Sequence, residues 1–216
     1  MDIFREIRRR ITPFMKSRGF SLSGRNYHYF ANHIAFCIAF DMPSGLVYVT
    51  AYIMPLYIPC ECRCYTYGNR LNAIGDIKLP LLNKDSDEAT IDKWCKLLCC
   101  KIDQYIIPFF KEIETTDKLL KFSDNFHYSA DSYIACNELD ILRLRMFTFL
   151  YVGDYVNIAY VNTRYREVLD RTSFLSNKVI QMCNEEIKMI VSLMQENDLA
   201  KEFFSQVENN MRKMIQ

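Results

Sequence analysis

Glycine and proline are scarce in this chain, 6 of each among 216 residues, which excludes long flexible linkers. Tryptophan occurs once, as Trp94. Neither sign of charge dominates: 27 basic residues face 26 acidic ones, so a bulk electrostatic grip on nucleic acid or on an anionic membrane is not indicated. The longest purely apolar run, Ile34 to Phe40, is too short to cross a bilayer. Leu46 to Cys60 is interrupted by Thr50, Pro55 and Pro59. No apolar stretch of signal-peptide length follows the basic residues before Arg18 and Gly19, so the expectation is a non-secreted, cytoplasmic protein without a membrane span. A glycine-rich phosphate loop, a Gly-x-Ser-x-Gly elbow and a His-Glu-x-x-His pair are all missing.

What is present is ordinary for a globular protein: half of the residues are hydrophobic and a quarter charged. The charge is uneven along the chain. Residues 1–30 hold Arg5, Arg8, Arg9, Arg10, Lys16, Arg18 and Arg25 against Asp2 and Glu6, or +5, which leaves about −4 for the remainder. The 9 cysteines are irregularly spaced and odd in number, so reduced thiols acting as small hydrophobes are expected.

Residues 2–17 read as an amphipathic helix with Ile3, Ile7, Ile11 and Phe14 in its stripe, widened by Phe4 and Met15. Pro13 should kink or break it, and Gly19 should stop it. Strand character follows in 20–30 around a Ser23-Gly24 turn, in 34–42, and in 46–56, where Val47, Val49 and Ala51 alternate with Tyr48, Thr50 and Tyr52. The short connections favour antiparallel neighbours. A fourth extended piece is placed at 60–67, and a turn at Gly68-Asn69. After a loop at 75–86, Thr90 is the expected N-cap of a helix to about Tyr105, with Ile91, Trp94, Leu98 and Ile102 buried; Pro108 should break or kink it. A short helix should hold Leu119 and Leu120. From about Ser129 the period is helical: Leu139 to Leu150, a stop at Gly153, a cap at Asp154, a second helix through Tyr165, and two more near 175–195 and 198–215. Tyr151 to Tyr155 followed by Ala159 resembles part of one tetratricopeptide pair, but no period repeats.

Cys60-x-Cys62-x-Cys64 would put three thiols on one strand face, with Cys95 and Cys99 as conceivable completers of a soft-metal site. The spacing lacks paired zinc knuckles, so no metal and no cofactor are expected. His28, His33 and His127 select no Cys–His nucleophile pair, and Glu185-Glu186 and Asp85/Asp87 read as solvated, so no catalytic residue is assigned. The candidate binding residues are Tyr57, Tyr65, Tyr67 and Arg70, where aromatics and a guanidinium surround a turn.

Lys16-Ser17-Arg18-Gly19-Phe20, then Gly24-Arg25, Tyr27 and Phe30, resembles the opening of the bacterial family called domain of unknown function 4304. Pro55-Leu56-Tyr57-Ile58-Pro59 and Tyr67-Gly68-Asn69-Arg70-Leu71 are similar to a downstream pattern of that family. The resemblance covers roughly the first 125 residues. It implies a helix leading into an antiparallel sheet with further helices packed on it, and it implies no reaction. The expectation is therefore an α+β domain over 1–125 with an all-helical region, 126–216, packed on it. The leading functional reading is a non-catalytic protein-interaction module of accessory or immunity type. The alternatives are an enzyme or small-ligand binder with a cleft near Tyr57, Tyr67 and Arg70, and nucleic-acid binding through the basic N-terminal helix.

Overall fold

A computed structural model describes residues 2–60, 67–124, 132–172 and 175–215. The fold is α+β. Helix α1 (Ile3–Ser17) is capped by the Asp2 carboxylate, which accepts from the Phe4 and Arg5 amides, and it buries Ile3, Phe4, Ile7, Ile11 and Met15. It runs through Pro13 rather than ending there. Pro13 sits on the exposed side, and the helix stops at Arg18, where Gly19 takes a positive φ of 84°.

The chain then forms a meander of β1 (Ser21–Ser23), β2 (Asn26–Ala31), β3 (Ile34–Asp41), β4 (Leu46–Pro55) and β5 (Tyr67–Arg70), hydrogen-bonded antiparallel in that order; β6 (Leu82–Asn83) also pairs β4. Gly68 and Asn69 therefore lie in a strand and not at the expected turn. Gly68 is needed for close approach: a Cβ there would sit 2.3 Å from Tyr52 Cβ and 2.4 Å from the Ala51 carbonyl oxygen.

Helix α2 (Glu88–Lys101) is capped by Asp87, whose carboxylate accepts from the Thr90 amide, so Thr90 is the third residue of the helix rather than its cap. Trp94 is buried in it and donates from Nε1 to the Pro80 carbonyl at 2.7 Å. A π-helical turn, Ile102–Ile106, connects α2 to α3 (Ile107–Glu112). The widened turn precedes Pro108, which has no amide to give to the Gln104 carbonyl, and the helical elements follow one another without a gap. Then come α4 (Thr116–Ser123), α5 (Glu138–Val152), α6 (Tyr155–Arg171), α7 (Asn177–Gln195) and α8 (Asn197–Ile215). Gly153, with φ 77°, ends α5, and the Asp154 side chain caps α6.

The sheet is covered on both faces. One face presents Tyr27, Ile34, Phe36, Ile38, Phe40, Val49 and Ile53 to a core that runs on through α1, α2, α5, α6 and α7 to Phe204 in α8. The other presents Ala35, Cys37, Ala39, Tyr52 and Met54 to Met211 and Ile215 of α8. Two buried faces explain why Ile34 to Phe40 is continuously apolar rather than alternating. No helix among the described residues is long and apolar enough to cross a membrane.

Candidate functional site

Strand alternation separates the sequence candidates. Tyr67 and Arg70 lie three positions apart on β5, so their side chains leave opposite faces of the sheet. Tyr67 points into the main core and donates its hydroxyl to the Asp140 carbonyl at 3.2 Å. Tyr57, just beyond β4, is fully buried. Its hydroxyl donates to Thr148 Oγ1 at 2.9 Å, because that hydroxyl itself donates to the Leu144 carbonyl, and its ring stacks on Tyr151 at 4.5 Å. Burial pushes both phenols well above their usual range. These two tyrosines fasten the sheet to α5, and neither forms a cleft with Arg70. Tyr65, Cys62, Cys64 and His127, with most of the extended piece placed at 60–67, lie outside the described residues.

Arg70 stands on the other face at the sheet edge. Its guanidinium lies over the Tyr48 ring, 4.1 Å from the centroid. The register explains this: Arg70 pairs Thr50, and Tyr48 is the diagonal neighbour on β4. An aromatic support is present, then, and among the described residues it is Tyr48, while Tyr67 points into the core. Arg70 Nη2 reaches Asp41 Oδ2 at 3.3 Å, a long contact between half-exposed groups. Asp41 Oδ1 is enclosed and has no hydrogen-bond partner among the described residues. Ala39, Thr50 and Gly68 form a floor of small side chains, and with Asp41, Asn69 and Arg70 they bound an open hollow of about 330 Å³. Asn69 is held in place, donating to the Ser132 carbonyl at 2.8 Å.

A second polar assembly was not visible in the sequence. Arg143 of α5 shares the helix face of Leu139 and Phe147, and so enters the interior with them. Its Nε lies 2.9 Å from both oxygens of Glu186 in α7, and its Nη2 lies 2.6 Å from Oε1 and 2.9 Å from the Pro59 carbonyl. Burial opposes the charge on Arg143, but the Glu186 carboxylate outweighs it and holds the guanidinium protonated. Glu186 is thus not the solvated carboxylate its neighbourhood suggested. A cavity of about 410 Å³ opens beside this pair, lined also by Asp140, Tyr165, Cys183 and Met182. Burial raises the Asp140 carboxyl, and burial followed by the Cys183 thiol raises the Tyr165 hydroxyl. The only hint in the sequence was an arginine on an otherwise apolar helix face.

Of the described cysteines, Cys37, Cys95 and Cys136 are buried and Cys100 is exposed. Burial pushes the Cys95 and Cys99 thiols up to about 12 and about 11, so they are protonated, poor nucleophiles at neutral pH. Among the described residues no three His, Cys, Asp or Glu side chains are grouped to hold a metal ion. No family model matches the chain, and neither a curated protein nor a solved structure matches it.

Proposed function

We propose that this chain is a non-catalytic protein-interaction module whose recognition surface includes Arg70. The observation that carries this reading is the presentation of Arg70. Its guanidinium lies over the Tyr48 ring, is touched by Asp41 only at Nη2, and is set at the rim of an open hollow with a small-residue floor. Nε and Nη1 make no hydrogen bond to any described residue, and Nη2 spends one of its two N–H groups on Asp41, so its second N–H completes a fork for a carboxylate on a partner protein. An open hollow suits a protruding side chain of a protein better than it suits a small molecule, which favours enclosure. Val156 and Tyr160, exposed one turn apart on α6, fit the same class of function.

The test starts with a photo-reactive residue in place of Thr50 in the native host, to trap what sits on the hollow. The trapped protein is then purified and titrated against wild type and Arg70→Ala. The expected outcome is a loss of about tenfold or more in affinity with an unchanged melting temperature. Full affinity in a folded Arg70→Ala protein overturns the reading. A second reading, a small-ligand binder, is favoured at the Arg143–Glu186 cavity rather than at Arg70, because polar groups and apolar walls converge there.

A further inference from the structure

The fold sorts the seven cations of residues 1–30 into two groups. Arg9 closes on Glu6 at 2.9 Å and on Glu88 at 3.2 Å, Arg10 on Glu88 at 2.8 Å, and Arg18 on Asp103 at 2.7 Å. Arg25 lies over the Phe4 ring at 4.3 Å. Arg5, Arg8 and Lys16 have no carboxylate partner among the described residues; the only bond from their side chains runs from Arg8 Nε to the Phe4 carbonyl. The unpaired three are not scattered. With Arg9, Thr12, Pro13 and Leu22 they line an open groove of about 680 Å³ between α1 and β1, and no carboxylate lines it. The spacing is the reason: residues 5, 8, 9, 12 and 16 fall on one face of a helix.

We propose that this groove docks an extended acidic segment of a partner protein. This surface lies apart from Arg70 and does not depend on that reading. Three cations without a carboxylate partner, Arg5, Arg8 and Lys16, set the sign of the occupant, and the lining sets its kind. Arg5 and Lys16 are separated by eleven helical steps, roughly 16 Å, which an extended chain covers in about five residues. Leu22 and Pro13 offer apolar contact to a side chain of such a segment. β1, which supplies Leu22, is a short edge strand paired only to β2. No aromatic side chain lines the groove, so bases would find nothing to stack on, which argues against single-stranded nucleic acid.

The experiment is fluorescence anisotropy on the full chain at low salt. The probes are a labelled peptide of about ten residues alternating glutamate with leucine, its glutamine counterpart, and a single-stranded DNA of matched charge. Saturable binding of the acidic peptide alone is expected. Arg5→Glu/Arg8→Glu/Lys16→Glu should weaken it by about tenfold or more, whereas Lys178→Glu/Lys188→Glu/Lys201→Glu, an equal charge change elsewhere, should not. If the reversed variant does not fold, Arg5→Ala/Lys16→Ala serves, with a smaller loss expected. The proposal is overturned by tighter DNA binding, by equal binding of the glutamine peptide, by equal loss in both charge variants, or by no acidic-peptide binding.

Discussion

The two faces of the sheet are built on different scales. The main face uses Phe36, Ile38, Phe40 and Ile53 and meets several helices, so its side chains are sealed on every side. The second face uses Ala35, Cys37 and Ala39 and meets one helix, α8, through Met211 and Ile215. Small residues let α8 lie close, and polar contacts at its margin finish the seal: His33 Nδ1 lies 2.9 Å from Glu208 Oε2, and Arg212 Nη2 lies 2.7 Å from Glu208 Oε1. At the opposite end of β3 and β4, where Asp41 pairs Tyr48, the same face opens into the Arg70 hollow. The first face is sealed along its length, and the second is sealed by α8 at one end and open beside Arg70 at the other.

The sharpest test of this division is matched truncation at adjacent β3 positions. Phe36→Ala should cost roughly 3–5 kcal/mol, and Cys37→Ala, which removes a single sulfur, about 1 kcal/mol, both read from urea midpoints. Trp94→Ala belongs with the first, also at roughly 3–5 kcal/mol, because the indole is buried and bonded to Pro80. Equal costs at Phe36 and Cys37 would erase the difference between the faces. Addition should reverse the ranking. Gly68→Ala places a methyl against the Ala51 carbonyl and Tyr52, and should cost about 1–3 kcal/mol although it deletes nothing.

Much of the fold was legible because its signals are local. Gly153 followed by Asp154 stops one helix and caps the next, and alternation in Leu46 to Leu56 marks β4 wherever that strand ends up. Pro13 does not end its helix because it lies on the exposed side of α1, whereas ahead of Pro108 the α-helix gives way to a π-turn, as a proline that breaks the regular hydrogen-bond ladder requires. The site was less legible because it depends on register. Nothing near Arg70 in sequence says that Tyr48 will lie diagonally across from it. Gly68 reads as a turn residue until the neighbouring strand shows that there is no room for a Cβ. Tyr57 looked like a ligand contact but is a core residue because Thr148, 91 positions later, takes its hydroxyl. The Arg143–Glu186 pair is long-range in the same way.

The seal around α8 should respond to acid. Burial alone would raise the Glu208 carboxyl, but Arg212 and His33 hold it below its ordinary 4.5. A carboxyl lowered in the folded state contributes stability that is complete above its unfolded value and is lost as pH falls through the folded one. The protection factors of α8 amides, which correct for the pH dependence of intrinsic exchange, should therefore fall as pH drops below 4.5. In Glu208→Gln, α8 should exchange faster at neutral pH and show less of this acid response. A response in α8 unchanged by the substitution would remove Glu208 as its cause.

The smallest effect is the one that bears on recognition. Arg70 has three structural ties: the Tyr48 ring, a 3.3 Å contact to Asp41, and its own strand backbone. Alanine keeps the backbone pairing. The Asp41 contact joins half-exposed groups in water, where such pairs contribute 0 to about 1 kcal/mol, and the ring contact at an exposed site is of similar size. Arg70→Ala should therefore lower stability by no more than about 1 kcal/mol. A larger loss, near 3 kcal/mol, would mean that the guanidinium holds the sheet edge closed, and the second face would then be as structural as the first. Arg70→Lys separates the contributions further, because the ammonium keeps a charge near Asp41 but loses the planar fork. If the fork is for a partner, lysine should match wild type in urea and match alanine in partner affinity. A lysine variant that binds like wild type would show that charge alone is read at this position.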